Sequence, residues 1–254
     1  MNTLLSLFDY SGHWCGEYYD NGWDVYMLDT KYEGDPLAYM GSEILGLDSC
    51  EKIMDLDVFP DGILAAPPCT DFAGSGARWW KGKDSRGETN ESLKLIYQTL
   101  NLIDFYQPDF WALENPVGRL STLIPECYET ICGVKLGKPQ YFNPCDYAGY
   151  LDLSSDDIDF LDEIDKKDGE GVSFEEWEHI IKCNAYTKKT GLWGNFVMPE
   201  KKPLKPIKAG GRTIGTSALN RLGGKSEKTK ELRSNTPIGF SRAFYQANQG
   251  GKNV

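Results

Sequence analysis

Two side chains in this sequence have the types and surroundings that a nucleophile and a partner acid would need. Cys69 follows Pro67 and Pro68 and precedes Thr70-Asp71-Phe72-Ala73-Gly74-Ser75-Gly76. The two prolines stiffen the backbone just ahead of the thiol, and the glycine-rich run behind it can close as a mobile loop. A cysteine placed this way is either an exposed, orientable nucleophile or a small residue packed in a turn. Glu114 comes 45 residues later, in Ala112-Leu113-Glu114-Asn115-Pro116. Alone, a glutamate at the end of a strand is a solvated or capping residue. Beside a thiol on the same sheet edge it becomes a candidate acid.

Whether the two share an edge depends on the elements that carry them. Leu4–Phe8 is a short apolar run that ends in the polar turn Asp9-Tyr10-Ser11-Gly12. Trp23–Leu28 ends at Asp29, Gly62–Ala66 ends at Pro67-Pro68-Cys69, and Phe110–Leu113 ends at Glu114. Between the last two runs, Leu93, Ile96, Leu100 and Ile103 recur at helical spacing, which predicts an amphipathic helix from about Glu91 to Tyr106 with Asn90 as its cap. Strands alternating with helices imply an α/β fold with a doubly wound, mostly parallel sheet. In such sheets ligands bind beyond the carboxyl ends of the strands. Asp9–Gly12, Asp29, Cys69 and Glu114 all fall there, which a sheet built for stability alone does not require.

The rest of the chain is less regular. Residues 151–183 read as an acidic helical insert. Asp165–Glu176 resembles a calcium loop only superficially, because Trp177 stands where a bidentate acid belongs. Ser173-Phe174-Glu175-Glu176 is instead a capping box that opens a helix through about Lys182. Residues 184–233 would hold one strand and a basic, irregular recognition region. Thr236–Asn248 looks helical and is expected to pack back on the main domain, so that residues 1–150 and 234–254 form one catalytic unit.

Charge follows the same division. The net charge is −11, yet residues 151–180 carry 12 acids and 2 lysines while residues 199–234 carry 10 Lys/Arg and 3 Glu. The basic stretch is what a polyanion would meet, unless it is merely solvated surface. The seven cysteines are irregularly spaced without a CxxC pair, and there are two histidines. Neither a disulfide framework nor a metal site is expected. No apolar run approaches the roughly 20 residues of a membrane helix, and the N-terminus lacks signal-peptide features, so an intracellular protein is expected.

In order and rough spacing, these motifs resemble the DNA cytosine-5 methyltransferase family. Leu5-Ser6-Leu7-Phe8 followed by Gly12 is similar to its first cofactor motif, and Asp29 to the acid after its second strand. Asp55-Leu56-Asp57-Val58 resembles the third motif. Pro67-Pro68-Cys69 with Phe72 and Gly76 resembles the nucleophile motif, and Glu114-Asn115-Pro116 the Glu-Asn-Val segment. Tyr186–Trp193 is similar to the strand of the Gln-x-Arg-x-Arg motif, and Arg233–Asn248 to the C-terminal motif that returns to the cofactor. The departures are a single glycine in the first motif with His13 and Trp14 after it, Pro116 in place of valine, and Ala185, Thr187 and Lys189 at the Gln and Arg positions.

The resemblance implies a Rossmann-like class I methyltransferase using S-adenosylmethionine on a cytosine flipped out of double-stranded DNA. It implies Cys69 as the nucleophile at C6, Glu114 at N3 and the exocyclic amine, and Lys189 at O2. Phe8, Asp9, Gly12, Asp29, Asp57 and Pro67 would line the cofactor. Phe8 would stack on adenine, Asp29 would bind the ribose hydroxyls and Asp57 would meet the adenine amine. Arg78, Trp79 and Trp80 would either close over the base or serve as packing. A monomer in the cytoplasm of a bacterial or phage-infected cell is the family expectation. A tRNA cytosine-5 methyltransferase, a catalytically silent S-adenosylmethionine- or DNA-binding protein and a different thiol enzyme are the competing readings. The intact Cys69 and Glu114 argue against the silent protein, and the lack of an obvious histidine base argues against the thiol enzyme.

Overall fold

The computed structural model describes residues 1–29, 58–124, 134, 136–167, 172–209, 212–213, 232 and 234–250. The chain divides into two compact units. The first comprises residues 1–141, 190–197 and 248–254, and the second residues 142–189 and 198–247.

The first unit is built on β1 (Thr3–Leu7), β2 (Asp24–Leu28), β3 (Gly62–Ala65) and β4 (Phe110–Pro116). With β5 (Gln140–Phe142) and β6 (Thr190–Asn195) they form one sheet in the order β2-β1-β3-β4-β6-β5. The pairs β1–β2, β1–β3 and β3–β4 are parallel, whereas β6 runs antiparallel to β4 with Glu114 opposite Leu192. Leaving β1, the chain builds β2 on one side and then crosses to build β3 on the other. The gap between β1 and β3 is therefore the point where the winding reverses, and in doubly wound sheets ligands bind there. This arrangement is a class I methyltransferase-like α/β fold.

Every residue of β3 is buried, and β1 is buried from Leu4 to Leu7. Such runs belong to strands covered on both faces. One face is covered by α3 (Glu88–Tyr106), which follows the short helices α1 (Gly16–Asp20) and α2 (Trp80–Ser85). Leu93, Ile96, Leu100 and Ile103 of α3 pack with Leu5, Leu7, Ile63 and Leu113 in a single apolar cluster. On these side chains the helical spacing in the sequence reads the core correctly. Its start is different: α3 begins three residues earlier than expected, after Gly87 in a left-handed conformation and with no side-chain cap, so Asn90 lies inside the helix.

Two other expectations change. Residues 74–80 are not an open loop; Gly74–Trp79 form a 3-10 helix that runs into α2. Strand β4 also extends three residues past Leu113, which places Glu114 and Asn115 within the sheet rather than after it.

The second unit contains α4 (Ser155–Asp165), α5 (Phe174–Lys182) and α6 (Ile238–Asn248). The capping box at Ser173 is present, with Glu176 N–H donating to the Ser173 hydroxyl at 3.2 Å and Ser173 N–H donating to the Glu176 carboxylate at 2.8 Å. Leu161, Ile164, Trp177, Ile180, Ala185, Tyr186 and Ile207 form one core. The apolar face of the acidic segment is thus buried with Ala185, Tyr186 and Ile207, which follow it in sequence. The C-terminal helix lies in this second unit up to Ala247. Phe240 stacks on Phe142 with ring centroids 3.8 Å apart, and Gly239 N–H donates to Asn184 at 2.9 Å. Among the described residues no helix is long and apolar enough to cross a membrane.

Candidate active site

The loop after β1 is organised by one buried carboxylate. Asp9 accepts from the Ser6 hydroxyl at 3.1 Å, the Ser11 hydroxyl at 3.2 Å and the backbone N–H groups of Trp14 and Cys15 at 3.2 Å each. Those two N–H groups lie at the start of α1, where donors lack helical partners. Asp9 therefore shapes the loop at the carboxyl end of β1. Phe8 and Gly12 both have positive φ, 60° and 68°. At Gly12 a side chain would be strained and would press on Met27, which is why a glycine stands there. Asp29 directly follows β2 and is partly exposed.

Two strands away, the register pairs Ala65 of β3 with Leu113 of β4. Glu114 comes one residue beyond that pair, and β3 continues through Ala66 and the buried Pro67 to Cys69. The two segments are bound to each other past the sheet. Asn115, fully buried, donates to the Pro67 carbonyl at 3.2 Å. Gly74 N–H donates to Val117 O at 2.8 Å, Arg119 N–H donates to Phe72 O at 2.9 Å, and Ala73 and Gly118 form an antiparallel bridge. A Cβ at Gly118 would lie 1.8 Å from the Phe72 carbonyl oxygen, so no other residue allows this approach.

Among the four described cysteines, Cys69 is partly exposed, while Cys15, Cys145 and Cys183 are buried. Burial pushes the Cys145 and Cys183 thiols up to about 11. Burial, with Asp9 alongside, raises Cys15 still further. A nucleophile must reach its substrate as a thiolate, and these three are inert by comparison.

Behind Cys69 the chain is tightly braced. Buried Asp71 accepts from both Lys83 and Ser92. Burial alone would raise its carboxyl, but those hydrogen bonds and the Lys83 and Arg119 charges hold it below the ordinary aspartate value. Trp79 is 59% exposed with the Arg78 guanidinium 5.0 Å from its ring, whereas Trp80 lies under Arg119 at 4.6 Å. The two tryptophans thus divide the alternatives left open by the sequence, with Trp80 packed and Trp79 presented outward.

The first unit gathers Phe8, Asp9, Gly12, Asp29, Pro67, Cys69 and Glu114 at the carboxyl edge of the parallel strands. Lys189 is exposed and belongs to the second unit, one residue before β6 begins opposite Pro116. Asp57 lies outside the described residues. The sequence reading missed Asn115 and Arg119 as bracing residues, because their partners are 48 residues away in the chain. Elsewhere, Asp157, His179 and Cys183 present ligand atoms within 4.8 Å of one another. There Asp157 is already engaged by Ser154 at 2.7 Å and Lys182 at 3.2 Å.

The fold is a class I methyltransferase-like α/β sheet. Residues 44–132 match the family model described as C-5 cytosine-specific DNA methylase. No curated protein sequence matches. Similar solved structures include a DNA modification methyltransferase encoded within an E. coli prophage, at 16% identity and a TM-score of 0.42 over 76% of this chain. This chain spans about half of that protein's length, 46%. A methyltransferase of Entamoeba histolytica is similar at 12% identity and a TM-score of 0.43, covering 97% of both chains. An antibiotic-related methyltransferase is similar at 9% identity and a TM-score of 0.33, over 80% of this chain and 88% of that one.

Proposed function

We propose that the chain is an S-adenosylmethionine-dependent DNA cytosine-5 methyltransferase acting in the cytoplasm, with Cys69 as its nucleophile. The observation that carries this reading is the partly exposed Cys69 on the continuation of β3, beside Glu114 in the neighbouring β4. The two segments are joined through Asn115 and Pro67.

The carboxyl edge of β1 and β2 fits the cofactor. Asp29 is partly exposed directly after β2, where an acid meets ribose hydroxyls, and Phe8 and Gly12 turn the chain there with positive φ. Phe8 would stack on adenine, and Asp57 would meet its amine. When bound, S-adenosylmethionine supplies an electrophilic methyl group on a sulfonium.

Cytosine C5 is a weak nucleophile. The Cys69 thiolate adds to C6, forming an S–C bond and moving an electron pair to C5. The Glu114 carboxyl holds N3 and the exocyclic amine and places its proton at N3 as negative charge develops. Lys189 holds O2. After C5 is methylated, its proton leaves to a base such as water. N3 returns its proton to the Glu114 carboxylate and the C6–S bond breaks, returning the Cys69 thiolate and neutral 5-methylcytosine. Because the target carbon lies inside the stack, the base is flipped out at a cost of about a few kcal/mol, and the exposed Trp79 with Arg78 would cover the gap.

The test is transfer of labelled methyl groups by the purified chain to duplex DNA or to tRNA, with Cys69→Ser alongside. Label in 5-methylcytosine of DNA alone, lost in the variant, is the expected result. Label in tRNA alone would move the substrate to RNA. Cofactor or DNA binding without transfer would leave a silent binding protein.

A further inference from the structure

One guanidinium holds together the segments that carry the two reacting groups. Arg119 lies five residues beyond Glu114. Its Nε donates to the Asp71 carbonyl at 3.0 Å, and its two terminal nitrogens donate to the Asp84 carboxylate at 2.8 Å each. A further N–H reaches the Thr89 hydroxyl at 2.9 Å, and the Thr89 hydroxyl itself donates to Asp84 at 2.6 Å. The side chain is 11% exposed and lies over Trp80. Four of the five guanidinium donors are thus committed to three separate pieces of chain: the turn after Cys69, the end of α2 and the first turn of α3.

The same pieces are also tied by Asp71, which accepts from Lys83 of α2 and Ser92 of α3, but only Arg119 joins all three to the continuation of β4 through its side chain. Between Cys69 and α3 there is a six-residue 3-10 helix and a six-residue α-helix, each too short to be stable alone. The turn is rigidly coupled to the thiol, since the Cys69 carbonyl accepts from Phe72 N–H at 3.0 Å and Ala73 N–H at 2.9 Å. A shift of Phe72 and Ala73 therefore carries Cys69 with it, while Arg119 follows Glu114 through a bridged, glycine-constrained stretch.

We propose that Arg119 is a positioning residue that sets the gap between Cys69 and Glu114, by clamping the nucleophile segment to the continuation of β4 through Asp71, Asp84 and Thr89. This inference rests on the role proposed above for Cys69 and Glu114. Lysine cannot substitute, because one ammonium has neither the planar fork for Asp84 nor the reach for a simultaneous bond to Asp71.

The experiment compares wild type, Arg119→Ala, Arg119→Lys and Asp84→Ala in the full chain, using two readouts. The first is the iodoacetamide alkylation rate at Cys69, read by peptide mass spectrometry, which needs no methyltransferase activity. Losing the clamp is expected to raise that rate about fivefold or more through local opening. The second is methyl transfer, where Arg119→Ala is expected to lower kcat about 100-fold, as misplacement by about 1 Å does, with KM for the cofactor held within about twofold. Arg119→Lys is expected to regain thermal stability but not kcat. Asp84 is half exposed, so Asp84→Ala gives the same readouts should Arg119→Ala fail to fold. Unchanged alkylation in a folded clamp variant overturns the proposal, as does full kcat in Arg119→Lys. A wild type that transfers no methyl group defeats the proposed function instead, and the alkylation readout still decides the clamp.

Discussion

Asp9 shows how much one side chain can determine around a binding edge. It is 5% exposed and accepts from two hydroxyls and two backbone N–H groups of the loop that joins β1 to α1. Replacement by alanine leaves the Trp14 and Cys15 N–H groups buried without an acceptor, each such group costing about 1–3 kcal/mol. Asp9→Ala is therefore expected to lose about 3 kcal/mol or more of unfolding free energy in urea. A loss under 1 kcal/mol would show that the loop is held by something else. The sequence marked Asp9 as polar and strand-terminal, which is right, but it could not show where the carboxylate points. That depends on the backbone turning back on itself at Phe8 and Gly12. Cys69 and Glu114 were legible for the opposite reason: both end apolar runs whose order in the chain maps directly onto adjacent strands.

At the scale of elements, the strand runs and the buried face of α3 could be read from periodicity alone, because burial of Leu93, Ile96, Leu100 and Ile103 is a local pattern expressed on one helix. The bracing of residues 70–87 could not, since it joins Asp71 to Ser92 and Arg119 to Asp84 across 21 and 35 residues. Its charges make a pH prediction. The hydrogen bond from Arg119, followed by that from Thr89, lowers the Asp84 carboxyl to about 2. A carboxyl depressed by folding stabilises the protein fully above its unfolded value of about 3.9 and loses that contribution as pH falls through the folded value. The stability difference between wild type and Asp84→Asn is thus expected to be flat from about pH 8 to 5 and to shrink below about pH 4. A difference that already narrows near pH 6 would assign the bracing to another group.

On the scale of the whole molecule, a net charge of −11 has to be reconciled with the DNA substrate proposed above. Part of the basic stretch is neutralised within the second unit. Lys201 pairs with Asp146 at 3.1 Å, Lys205 pairs with Asp165 at 2.9 Å, and Lys202 lies 4.1 Å from the Tyr150 ring. The linear charge run overstated the cations on offer, because sequence alone does not show which lysines face the acidic helix. Phosphate contacts are therefore expected from Arg221, Lys225, Lys228 and Lys230, which lie outside the described residues. Replacing these four with alanine should weaken DNA binding and flatten its salt dependence by up to about 0.9 per contact on a log–log plot. Lys201→Ala and Lys205→Ala should leave that slope unchanged. The reverse pattern in a titration between about 50 and 200 mM salt would place the DNA on the opposite set.

The chemistry itself is tested most directly by trapping. Duplex DNA containing 5-fluorocytosine, given with S-adenosylmethionine, blocks loss of the substituent at C5 and arrests the enzyme on its substrate. A covalent protein–DNA complex is expected whose only modified peptide contains Cys69, and Cys69→Ser should form none. An adduct on any other cysteine, or methyl transfer by the wild type with no adduct at Cys69, would contradict the assignment of the nucleophile.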